Sequence, residues 1–187
     1  MNIGIADRFD GVVEEAPIGD IKITGHFHWW VEDSPENGGG IVAEGDIYNM
    51  VVNQGLNHAL ATELGAGAQI AAWYIGLVDA PTFSAFAAGD TAASHAGWTE
   101  NQNYTEAVRQ TWTPGAAAGQ AITNPTPAVF TCNTNGTQIK GFFVASSNVK
   151  GGAAGTLWSE GAFAAGTQTI QSGQLLKCTY TANAASS

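Results

Sequence analysis

Ile21-Lys22-Ile23-Thr24-Gly25-His26-Phe27-His28-Trp29-Trp30-Val31 alternates with a period of two. Ile21, Ile23, Gly25, Phe27, Trp29 and Val31 fall on one side, and Lys22, Thr24, His26, His28 and Trp30 on the other. This is the pattern of a half-buried strand, because a helix would repeat its apolar positions every three or four residues. The run Ser34-Pro35-Glu36-Asn37-Gly38-Gly39-Gly40 carries turn chemistry, and Ile41 to Val52 reads as a returning strand, so residues 21–52 are expected to form a hairpin. A loop centred near Asn37 sets His28 across from Asp46, Trp30 from Glu44 and His26 from Tyr48.

Downstream, Leu56, Leu60 and Leu64 recur at four-residue intervals and predict one short helix over residues 53–65, with Asn53 capping its start and Gly65 its end. Beyond it come short apolar runs divided by turn residues: Trp73 to Val78, Val108 to Trp112, Ala128 to Cys132, Ile139 to Ala145, Thr156 to Ser159, Thr167 to Ile170 and Leu175 to Tyr180. Asn135-Gly136 reads as a hairpin turn. Nine or ten such strands with one helix predict an all-β fold, a jelly-roll-like β sandwich over residues 21–181. Residues 1–20 read as an extended N-terminal arm, with Ile3, Ile5, Phe9, Val12 and Val13 interleaved with acids. Residues 182–187 read as a flexible tail. Cys132 and Cys178 fit no metal spacing and are expected as buried, reduced thiols, with a disulfide as the minority reading.

The charge is unevenly placed. Residues 1–63 hold eleven acids against Arg8 and Lys22, whereas the 124 residues from Leu64 onward carry five acids and four bases, about 7% charged against roughly 25% for ordinary soluble domains. A surface of Ala, Gly, Thr, Ser, Asn and Gln packs readily on copies of itself or on a large partner. Six scattered bases supply no cationic stripe for phosphates, so nucleic acid is not expected as a partner. No apolar run is long enough for a membrane span, and the amino end lacks the basic-then-apolar pattern of a secretory signal.

The residues capable of chemistry point to no catalyst. His26 and His28 share a strand face with Asp46 or Glu44 opposite, which offers two imidazoles and one carboxylate but no fourth ligand, so cross-strand His–Asp pairing is expected and no metal or cofactor. Ser94-His95 near Asp90 lacks a nucleophile elbow. Gly65-Ala66-Gly67 follows a helix instead of opening one, the wrong order for a dinucleotide loop. Glu14-Glu15, Glu32-Asp33, Glu44 and Asp46 flank loops and polar positions and read as solvated charge, not as an acid–base pair; no DxDxDG calcium loop accompanies them. Of the six tryptophans, most sit beside core residues, leaving Trp30 and Trp98 as candidates for surface contact. No catalytic, cofactor-binding or metal residue is therefore assigned.

The segment Trp73-Tyr74-Ile75-Gly76-Leu77-Val78-Asp79, followed by Ala88-Gly89-Asp90-Thr91, Ser94-His95-Ala96-Gly97-Trp98-Thr99-Glu100, Tyr104 and Arg109, resembles a family of tailed-bacteriophage virion proteins. The likeness runs from Asn49-Met50-Val51-Val52-Asn53-Gln54-Gly55-Leu56-Asn57 to Thr181, through Gly141-Phe142-Phe143 and Gly155-Thr156-Leu157-Trp158. It implies a structural role similar to capsid cement, or decoration, proteins of HK97-like shells. Such a protein binds the outer surface of the phage head, bridges capsomers, and has the major capsid protein and its own copies, as dimer or trimer, for partners. The resemblance implies no catalytic residues, so an enzyme is not expected. The alternative is a tail, baseplate or head-fibre-associated module with carbohydrate-binding capacity.

Overall fold

The computed structural model describes residues 21–186, so the arm read over residues 1–20 lies outside the described residues. In chain order the elements are β1 (Ile21–Glu32), β2 (Ile41–Val51), α1 (Asn53–Leu64), β3 (Trp73–Asp79), β4 (Glu100–Asn101), β5 (Gln110–Trp112), β6 (Ala121–Thr123), β7 (Ala128–Thr131), β8 (Thr137–Ala145), β9 (Leu157–Ala162), β10 (Gln168–Ile170) and β11 (Leu175–Ser186). The fold is all-β, one curled antiparallel sheet in the order β4-β3-β8-β9-β2-β1-β11-β6, with β5 beside β3, β7 beside β11 and β10 beside β8. The first hairpin has the register set by its loop: His28 faces Asp46, Trp30 faces Glu44 and His26 faces Tyr48. Asp33 N donates to Gly40 O at 2.9 Å across the loop, and Gly38 takes φ 105°, a conformation glycine enters without a Cβ clash.

The sheet curls at β2. Its residues up to Asn49 pair with β1, after which Met50 and Val51 pair with Glu160 and Ser159 of β9. Aromatic side chains fill the space between the two arms that this bend creates. Phe27 of β1 lies 4.5 Å from the Tyr180 ring and 5.3 Å from that of Phe142 on β8, and Trp29 lies 4.4 Å from Phe163. All are essentially buried, and each such side chain removed from water contributes about 1.5–3 kcal/mol. Cys132 and Cys178 are both free and buried, as the spacing suggested.

The structure departs from the sequence expectation in three places. The residues read as a loose tail continue β11, because the long β1 supplies partners as far as Ile21 opposite Ser186. Asn135-Gly136 does turn, with Gly136 at φ 72°, but it passes the chain from β7 in one arm to β8 in the other; β7 pairs with β11 and β8 with β3, β9 and β10, so no hairpin forms. Helix α1 hides no leucine stripe, for Leu60 is 59% and Leu64 83% exposed. The residue before it, Val52, occupies the cap position with no side-chain bond, while Gly65 is extended and not left-handed.

Contact between α1 and the sheet is instead made at Gly55, the one buried residue of the helix. A Cβ there would meet the Trp158 carbonyl oxygen at 2.6 Å, which a backbone atom cannot easily yield. Gln54 fixes the same approach by accepting from Leu157 N at 2.7 Å and Ala92 N at 3.1 Å. Gly55→Ala is therefore expected to lose about 1–3 kcal/mol in urea unfolding, even though alanine favours helix by about 1 kcal/mol. A gain in stability would show that α1 is not held by close backbone packing.

Candidate functional site

The outer face of β2, β1 and β11 carries the polar side of the opening stretch. His26 Nε2 and His28 Nδ1 each lie 3.0 Å from the same atom, Asp46 Oδ1, and the hydrogen bond from His28 is the main reason the Asp46 carboxyl is held below its usual range. Tyr48 stands beside His26 with its ring centre 5.2 Å away and 87% of its surface exposed. Trp30, the surface candidate on this face, is half-buried and donates its indole N–H to Glu32 at 2.9 Å, and Lys177 holds the other Glu32 oxygen at 2.6 Å. Those bonds, that of Lys177 foremost, lower the Glu32 carboxyl. Among the described residues no group of three or more His, Cys, Asp or Glu side chains is placed to hold a metal ion.

Ser94, His95 and Asp90 form no relay. His95 Nδ1 is bonded to Trp98 O at 2.9 Å and its ring stacks on that indole at 4.0 Å, while Ser94 closes a small turn with Thr91. Trp98, expected at the surface, is 3% exposed because the segment 80–99 folds back over β3 and β8 and packs its indole on Phe143 at 5.0 Å. Its Nε1–H donates to Glu160 at 3.0 Å and to Asp90 at 3.3 Å. Glu160 is fully buried on β9. Desolvation first, and the neighbouring Asp90 second, push its carboxyl up to about 8, and its Oε1 has no hydrogen-bond partner. Nothing in the run Trp158-Ser159-Glu160-Gly161 marks this acid as different from a solvated one.

A buried ion pair organises the neighbouring loops. Arg109 reaches both oxygens of Glu100, through Nε at 2.9 Å and Nη2 at 2.8 Å, and also donates to the carbonyls of Ser147 and Gly152, each at 2.9 Å. Lys150 donates to the carbonyls of Tyr104 and Glu106, both at 2.9 Å, above the Tyr104 ring. These cations are spent on backbone and carboxylate within the chain.

A groove of about 480 Å³ lies between α1 and the sheet. His58 and Thr62 form its helical wall, Trp73, Trp112 and Trp158 its floor, and Ile23, Ile122 and Ala184 its far side. Trp112 turns its indole N–H to Asn124 Oδ1 and Tyr180 O, and Trp158 gives its own to the Tyr180 hydroxyl at 2.8 Å, so both offer the groove carbon surface instead of donors. Sequence periodicity could not find it, since its residues come from one helix, seven strands and two loops.

No family model, curated protein or solved structure matches the chain. Among the described residues no helix is long and apolar enough to cross a membrane. The open sheet face, the exposed helix and the groove are the candidate sites.

Proposed function

We propose that the chain is a structural virion protein, a cement or decoration protein that binds the outer surface of a phage head and stabilises it by bridging capsomers. The observation that carries this reading is the exposure of large apolar side chains on a body whose core is already full. Ile41, Val42 and Tyr48 on β2 are 58%, 55% and 87% exposed, and Leu60 and Leu64 stand out from α1. Apolar side chains left in water around a sparsely charged surface fit adhesion by area. Specific contacts of that kind bury on the order of 1,200–2,000 Å² per interface. The titratable groups support the same reading, since each cluster is closed on itself: His26 and His28 on Asp46, Arg109 on Glu100, and Trp98 on Asp90 and Glu160. Low charge on the body lets small residues approach a lattice closely, while the acids upstream seek basic patches on the major capsid protein.

Purified particles containing this chain are expected to hold it in hundreds of copies, read from a particle density map or a calibrated stained gel. Tyr48→Asp should lower occupancy of the head at least tenfold while leaving the unfolding curve of the isolated chain unchanged, because Tyr48 lies on the outer face. A handful of copies at the tail, or none in the particle, overturns the cement reading.

A further inference from the structure

The ends of the segment 80–99 meet, for Asp79 N donates to Thr99 O at 2.9 Å where β3 gives way to it. A loop closed at its neck can swing as one piece about that neck. Its underside presses Ala92 and Trp98 onto an apolar floor of Val52, Val78, Phe143 and Leu157. Away from the neck, Asn53 N donates to Ala88 O at 2.8 Å and Ala92 N to Gln54 Oε1 at 3.1 Å.

The remaining polar tie is the Trp98 indole N–H, which donates to Asp90 Oδ2 on the loop at 3.3 Å and to Glu160 Oε2 on β9 at 3.0 Å. Two oxygens bonded to one hydrogen are close neighbours, and these belong to acids that are 8% and 0% exposed. Carboxyls so placed out of water repel strongly if both are ionised, so the closed loop keeps one proton between them. The other charged and titratable groups nearby do not relieve that repulsion. From the loop, His95 stacks on the Trp98 ring and spends Nδ1 on the Trp98 carbonyl. From β8 and β2, Phe143 and Met50 stand opposite Glu160, and neither titrates. Arg109 lies 4.9 Å from the Phe143 ring centre but is paired with Glu100, and Lys140 sits over Phe83. Among the described residues no cation is paired with Asp90 or Glu160.

We propose that residues 80–99 are a flap latched to the sheet by this shared proton, and that the flap swings out when the proton is lost to water. Loss of the proton sets two like charges against each other, one on the flap and one on the sheet, and opening carries both into solvent. Burial and the neighbouring acid raise the Glu160 carboxyl to about 8, so the closed form, which holds the proton, is favoured below that pH and the open form gains above it. The flap works on a phage head or off it, so its failure leaves the cement reading standing, and copy number tests that reading separately.

The full chain labelled with 5-fluorotryptophan tests the latch by fluorine NMR, with the Trp98 resonance assigned by its loss in Trp98→Phe. Between pH 6 and pH 9.5 that resonance should move toward its position in the urea-unfolded chain, and its shift on changing water for heavy water should grow at least twofold. The other five indoles should stay where they are. Glu160→Gln supplies a neutral side chain of the same shape and should hold Trp98 in the closed position at every pH. Asp90→Asn, which serves also if the first variant fails to fold, should at least halve the movement. A Trp98 resonance that is constant to pH 9.5 in the parent overturns the proposal. Movement of all six indoles together overturns it in favour of whole-chain unfolding, and movement undiminished in the variants overturns the two acids as the latch.

Discussion

Arg109→Met is expected to cost about 3–5 kcal/mol of folding stability, the usual cost of removing one partner of a buried ion pair. The guanidinium and its carboxylate are each only 4% exposed, so the substitution strands the Glu100 charge away from water and releases two carbonyls at once. It also frees the loop around Gly152, which Arg109 ties to the segment before β5. Pairing the change with Glu100→Gln should recover part of the loss, because much of it comes from the uncompensated carboxylate and not from the missing bond. Urea unfolding of the two single variants and the pair measures this directly. A single variant within 1 kcal/mol of the parent would mean that water reaches the pair and that the loop is held by other contacts.

The hairpin was legible down to its register because three signals agree there: strict alternation from Ile21 to Val31, a loop rich in glycine, and a return strand of matching length. Helix α1 was legible as a helix but not in its orientation. Leu56, Leu60 and Leu64 gave the right period, yet which face turns inward was set by Gly55, whose lack of a Cβ lets the helix reach the Trp158 backbone. Spacing also located the turn at Asn135-Gly136 and could not tell that its flanking strands join different neighbours, since partner choice depends on the curl at β2. The outer-face pairing of His26 and His28 with Asp46 followed from register. The burial of Trp98 and Glu160 did not, because it depends on the segment 80–99 closing over the sheet and setting Trp98 against an acid 62 residues away in sequence.

The buried Glu160 makes folding stability depend on pH in a direction opposite to that of a salt-bridged acid. Its ordinary value is 4.5 and burial raises it to about 8, so between these limits the folded chain keeps a proton that the unfolded chain has released. Stability is therefore present in full below pH 4.5 and is lost as pH rises toward 8, by an amount on the order of 3–5 kcal/mol. Glu160→Gln keeps an acceptor for the Trp98 indole and removes the titration. The variant should be more stable than the parent at pH 8.5, should lose that advantage at pH 5, and should flatten the profile between them. Asp90→Asn then separates the two causes: desolvation alone should keep the transition well above 4.5, since the Asp90 charge is the smaller contribution. A parent whose unfolding midpoint in urea is unchanged from pH 5 to 8.5 would show that water enters beside Glu160 and that its carboxyl titrates as an exposed one does.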